Sequence, residues 1–134
     1  MSDGVSDANV HDVYPETVRI DELRALFGIG MTQEYCNAST ATREAVYYAL
    51  QRAFDSLEQR FGVRVLGTID IDILAVGARS SAPWTSYILA VVPDLDAVVS
   101  VCSLVRETTL ADDRLWRYIT IEALLGRPLF FANA

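Results

Sequence analysis

Two stretches of helical apolar periodicity, each flanked by strand-like alternation, constrain this chain more than any other feature. Residues 22–31 alternate with Leu23, Ala25, Phe27 and Ile29 on one side, which is the period-two pattern of a half-buried strand. Residues 39–62 then repeat apolar side chains at helical spacing through Ala45, Val46, Ala49, Leu50, Ala53, Leu57 and Phe61. Ser39 or Thr40 offers a capping oxygen at the start, and Gly62 supplies the stop. Tyr47 and Tyr48 are adjacent and cannot share a direction, so at least one is expected to edge the core.

Residues 63–77 open as a strand rich in β-branched side chains, and residues 84–92 form another that Pro93 ends. Asp94 caps a second helix over 94–107, with Leu95, Val98, Val99, Cys102 and Val105 expected to face the core. "LWRYITIEA" (115–123) reads as the last strand, followed by a C-terminal extension whose Phe130 and Phe131 are too apolar to hang in water and should dock.

Strand, helix, strand, strand, helix, strand is the order of the ferredoxin-like βαββαβ fold, in which two helices cover one face of a four-stranded antiparallel sheet. The opposite face has nothing in the sequence to cover it. Monomers seldom expose a large apolar patch, so two copies are expected to pair their bare faces as a homodimer, a dimeric α+β barrel. The length of 134 residues suits one such domain over 19–134. Residues 1–18 carry four acids, no Lys or Arg and no sustained periodicity, and read as a flexible acidic tail holding the single histidine, His11.

Composition removes several classes of chemistry. The formal charge is −7 and no basic cluster opposes it, so nucleic acid is not an expected partner. All 11 basic residues are Arg, which excludes a Schiff-base lysine and a P-loop lysine. Two cysteines and one histidine cannot build a Cys/His metal centre, so no metal and no cofactor are expected. Cys102 reads as a buried small hydrophobe and Cys36 as the more exposed thiol. No apolar run reaches membrane-spanning length and no secretory signal precedes the domain, which makes the cytoplasm the expected location. The Gly28-x-Gly30 pair lacks the third glycine of a dinucleotide loop, since Gln33 stands there. Glycines on the open side of a strand instead let another group approach the backbone.

Four runs carry a family resemblance: "FGIGMTQEY" (27–35), "VLGTIDID" (65–72), "PWTSYILAVVPDLDAVVSVCSLVRE" (83–107) and "LWRYITIEALLGRPL" (115–129). Over roughly residues 24–129 the chain resembles the IacB-like proteins associated with bacterial indole-3-acetate catabolism, a dimeric α+β-barrel group. The resemblance implies a context of aromatic or indolic acids and oxidative metabolism. The chain departs from that group in its acidic tail and in Ile71, which lies between Asp70 and Asp72.

The candidate site follows from the last strand. Alternation over 115–123 sends Trp116, Tyr118, Thr120 and Glu122 to one side, and Leu115, Arg117, Ile119, Ile121 and Ala123 to the other. The aromatics of this side serve either to hold a dimer together or to line a substrate cavity shared with Trp84 and Tyr87; in the second case Trp84 and Trp116 would stack on a ring, and Arg117 or Arg106 would hold a carboxylate by its planar fork. Glu122 or Asp72 would move a proton, and Tyr118 would hydrogen-bond a developing oxyanion. Asp70 and Asp72 also suit a turn or bent strand.

Two functions stand side by side at this stage. One is a cofactor-independent oxygenase, cyclase or isomerase acting on a small aromatic acid or polycyclic metabolite. The other is a non-catalytic metabolite-binding or helper subunit for a flavin-dependent oxygenase. Convergence of Glu122, Arg117 and Tyr118 on one cavity would favour catalysis, and their dispersal would favour the helper.

Overall fold

The computed structural model describes residues 22–73, 76–77 and 84–132. The sequence reading of residues 1–18 as a tail, His11 included, lies outside the described residues. The chain runs β1 (Arg24–Met31), α1 (Gln33–Asn37), α2 (Thr40–Ala53), α3 (Leu57–Phe61), β2 (Arg64–Asp70), β3 (Trp84–Val91) and α4 (Leu95–Glu107). A small hairpin of β4 (Thr109–Leu110) and β5 (Asp113–Arg114) follows, then a 3₁₀ turn (Leu115–Arg117) and β6 (Ile119–Gly126). β1, β2, β3 and β6 form one antiparallel sheet in the order β2-β3-β1-β6, which is the ferredoxin-like arrangement. Among the described residues no helix is long and apolar enough to cross a membrane.

The core lies between the sheet and the helices. Ala25, Phe27 and Ile29 of β1 are buried, as the alternation required, and they meet Val46 and Ala49 of α2 and Val101 of α4. Opposed residues of an antiparallel ladder share a face. Ala25 with Ala90 and Phe27 with both Ile88 and Ala123 therefore line the helix side. The row Ile69–Tyr87–Gly28–Glu122 lies on the other side, as does Leu89–Leu26–Leu124.

Four local expectations are corrected. The helix expected over 39–62 is two helices, because a straight helix of that length would extend about 35 Å and overrun eight-residue strands of roughly 27 Å. It breaks at Phe54–Ser56, where Ser56 takes a left-handed conformation (φ 54°). Arg60 Nη1 donates to the carbonyl oxygens of Ala53 and Asp55 at 2.8 and 2.7 Å, closing the end of α2. The turn brings Leu57 into the core and packs α3 against α4 and β2. Gly62 ends α3 with φ 74°, as expected of a stop residue.

In α4 the buried stripe is Ala97, Val98, Val101, Leu104 and Val105, whereas Leu95 and Val99 are exposed and Cys102 is half-buried. This helix has more apolar positions than one face can hold, so spacing alone does not choose the stripe. Asp94 caps it as expected, its side chain accepting from the Ala97 amide at 2.9 Å.

Tyr47 and Tyr48 are both exposed, pairing edge-to-face with ring centroids 5.4 Å apart. Phe130 and Phe131 also meet each other, at 4.9 Å, while remaining 52% and 57% exposed.

The left-handed Ser56 sets the first prediction. A non-glycine residue there costs about 1–2 kcal/mol, and glycine's greater freedom in the unfolded chain offsets part of the relief. Ser56→Gly is expected to leave stability unchanged or raise it by up to about 1 kcal/mol, read from the urea midpoint, whereas Ser56→Val should lower that midpoint.

Candidate functional site

The final sheet strand begins later than the sequence indicates. Leu115–Arg117 form a 3₁₀ turn and Tyr118 is in the right-handed helical region, so the strand starts at Ile119. Thr32 holds this turn in place. Its amide donates to the Tyr118 carbonyl at 3.0 Å, its hydroxyl donates to the Arg117 carbonyl at 2.7 Å, and the same hydroxyl accepts from the Tyr35 amide to cap α1. Leu115 is fully buried and its amide donates to the Thr108 carbonyl at 2.9 Å.

The turn separates residues that the alternation had placed together. Thr120, Glu122 and Leu124 occupy the open sheet face, and Ile119, Ile121 and Ala123 the core face. Trp116 is on the turn and 60% exposed, not on the sheet. Tyr118 packs against the core from the helix side. It shares a depression of about 490 Å³ with Arg117, Asp113 and Thr42. Arg117 is exposed and bonded to the Asp113 carboxylate, with its guanidinium over the Tyr118 ring. The Arg114 amide and then the Arg117 guanidinium hold the Asp113 carboxyl below the usual carboxylate range.

Arg106 sits in the last turn of α4 on the exposed surface, where it complements the helix dipole. Asp72 is exposed beyond the end of β2. Asp70 opposes Ser86, which opposes Ile29, so it belongs to the helix-side row. Among the described residues no three His, Cys, Asp or Glu side chains come together as a metal-binding group. Cys36 is exposed, and burial pushes the Cys102 thiol up.

Three of the candidate residues do meet. Trp84, Tyr87 and Glu122 line one groove of about 420 Å³ on the open face, with Leu26, Gly28, Ile69 and Leu124 completing it. Each comes from a different place in the register: Tyr87 and Glu122 flank Gly28 from the two neighbouring strands, and Ile69 lies beyond Tyr87. Trp84 reaches the groove because the β1–β3 register shifts at Ile29/Gly30, a bulge that sets Trp84 opposite Gly30.

Gly28 makes the groove possible. A Cβ built on Gly28 would lie 3.1 Å from Trp84 Cγ and 3.3 Å from Cδ2, so the indole rests on bare backbone. Gly28, the first glycine of the Gly28-x-Gly30 pair, thus serves a tryptophan of the same chain. Leu26 and Leu124 contribute apolar walls, and Glu122 is the one carboxylate among the groove's lining residues. A carboxylate beside two aromatic rings accepts a hydrogen bond from a ring N–H or O–H, or takes up a proton.

A second cavity of about 450 Å³ adjoins the first, sharing Leu26 and Leu124 and bordered by Arg24, Leu89 and Leu129 among others. Arg24 is partly buried there, with its Nε donating to Glu22 at 2.6 Å. The sequence reading does not single out Arg24 or Leu26. Their even offset from Gly28 on β1 is the available signal.

No family model matches the chain, and no curated protein matches it. Among solved structures it is similar to a protein of unknown function from Rhodopseudomonas palustris, with 16% identity over 90% of this chain and 92% of that one, at a TM-score of 0.46. A dimeric protein of unknown function and ferredoxin-like fold from Bacteroides fragilis is 9% identical, over 80% of this chain and 96% of that one, at a TM-score of 0.42. A candidate chlorite dismutase is 17% identical over 81% of this chain, at a TM-score of 0.45, and this chain spans only 44% of its length. No chemistry is carried across at this distance.

The contact between Gly28 and Trp84 yields a direct test. Gly28→Val should displace the indole, changing the Trp84 contribution to intrinsic fluorescence relative to a Trp116→Phe background, while far-ultraviolet circular dichroism stays that of the parent. An unchanged Trp84 signal would show that the ring does not rest on this glycine.

Proposed function

We propose that this chain is a metabolite-binding protein of the IacB-like kind, taking a small aromatic or indolic acid, or a polycyclic relative, on its open sheet face. The observation that carries the reading is the meeting of Trp84, Tyr87 and Glu122 in one groove while Arg117 and Tyr118 lie elsewhere. Planar rings gain from stacking or edge-to-face contact, at about 0.5–1.5 kcal/mol per aromatic pair beyond the area buried. Glu122 accepts a hydrogen bond from a ring donor such as an indole N–H, and a bond to a charged acceptor contributes about 1.5–3 kcal/mol. Together these features select a planar, donor-bearing, mostly apolar molecule.

With Arg117 and Tyr118 elsewhere, the Tyr87 hydroxyl and the Trp84 N–H are the side-chain donors left among the groove's lining residues and no cation backs them, which favours the helper role beside a flavin-dependent oxygenase. The second reading is a cofactor-independent enzyme reduced to one-base chemistry. In it Glu122 removes a proton from the bound ring or from the carbon next to it, and returns it elsewhere as an isomerase would. It is favoured by the carboxylate's position among rings.

The open face also motivates the homodimer. Ile69 and Leu124 stand 58% and 57% exposed beside Leu89 on one continuous surface. A second copy placed on that surface by a two-fold axis removes apolar area from water and encloses the groove.

Two measurements address these readings. Calorimetric titration with indole and indole-3-acetate should show binding, and Glu122→Gln should weaken indole roughly tenfold by exchanging a charged acceptor for a neutral one. No binding of any ring compound would overturn the assignment. Aerobic incubation of the pure protein followed by mass spectrometry separates the roles, because turnover without a second protein establishes the enzyme and its absence, with binding retained, the helper. Light scattering is expected to report a dimer at micromolar concentration and Leu124→Arg a monomer, and a monomeric parent would remove the paired-face arrangement.

A further inference from the structure

The two adjoining cavities on the open face define a ligand with two chemically different ends, and this deepens the reading just given and rests on it. The ring end is Trp84, Tyr87 and Glu122, level with Gly28, and the other end is Arg24, level with Gly126. Four residues of strand separate these levels, about 13 Å at the usual rise per residue, a span that the length of the Arg24 side chain shortens. Between them the surface is Leu26, Leu89 and Leu124, and the charged groups lining the second cavity are Arg24 and Arg127, both cationic, with Arg24 on the strand that carries Leu26 and Gly28.

Space and donors are available at the far end. A Cβ placed on Gly126 would meet nothing within 4 Å, so the approach to Arg24 from its cross-strand partner is open. Glu22 accepts from the Arg24 Nε, and a guanidinium carries five N–H donors, so among the described residues Arg24 keeps Nη donors that can receive a second carboxylate. Compact aromatic acids such as indole-3-acetate carry the carboxylate beside the ring. They would set it over the leucines, or next to Glu122, where like charges repel.

We infer that the groove is built for an ω-aryl alkanoate. Its ring occupies the Trp84–Tyr87–Glu122 end, its methylene chain crosses the three leucines, and its carboxylate ends on Arg24.

The test is a homologous series on the full-length protein, followed by isothermal titration calorimetry: indole, indole-3-acetate, 4-(indol-3-yl)butanoate and the methyl ester of that butanoate. The butanoate is expected to bind roughly tenfold tighter than its ester and tighter than indole-3-acetate, and Arg24→Gln should bring the acid down to the level of its ester. Equal affinity of acid and ester in the parent protein overturns the inference while leaving the ring site standing. So does a shorter acid that binds as tightly as the longer one. Failure of indole itself to bind overturns the ring site, and this inference with it. The comparison of acid with ester needs no substitution, so it holds even where the Arg24 variant does not fold.

Discussion

Burial of one sheet face beneath α2 and α4 is the interaction on which the rest of this molecule depends. Phe27, Val46, Val101, Leu115 and Ile119 are all essentially inaccessible, and each comes from a different element. Their mutual packing sets which way every second residue of each strand must point. Once Phe27 faces inward, Gly28 faces outward, and Tyr87 and Glu122 follow it through the register. The groove is therefore the reverse side of the core: the same alternation that fills one face assembles the other.

That coupling explains how much of the fold is legible in the sequence. β1, β3, the two main helices and their order follow from periodicity, because each spans two or more periods and is bounded by a residue with one clear meaning. Asp94 at a helix start, Gly62 at a stop and Pro93 after a strand are of this kind. Periodicity is silent where the chain turns for tertiary reasons. The break at Ser56 is held by Arg60, four residues on, reaching back to carbonyl groups, and nothing in an amphipathic pattern records such a bond. In α4, Leu95 and Val99 are as good candidates for burial by spacing as Val101 and Leu104, and only the position of the sheet decides among them.

The site is half legible for the same reason. Tyr87 and Glu122 lie on true strands whose alternation brings them to one side, whereas Trp84, an odd three residues from Tyr87, joins them only through the bulge at Ile29/Gly30, which no alternation records. Arg117, Tyr118 and Trp116 follow the same alternation on paper, but they belong to a turn that Thr32 ties down from 85 residues away in sequence. Two long-range hydrogen bonds from Thr32, one from its amide and one from its hydroxyl, to backbone carbonyls leave no trace in local composition. Conversely, the glycines of β1 mark a place where something approaches the backbone, and the Trp84 indole is what approaches Gly28.

The strand at the sheet's free margin has a consequence of its own. β2 is exposed along its whole length and ends the sheet among the described residues, so its outer amides and carbonyls face outward as a template for an extended peptide. Its pairing with β3 slips between Val65 and Gly67, leaving Leu66 as an extra residue in the ladder. Such an irregularity bends and twists the margin, so the spacing of its outward donors no longer matches that of a straight incoming strand. The same slip therefore limits lateral growth into fibrils, a safeguard for a protein whose other broad surface is oily by design.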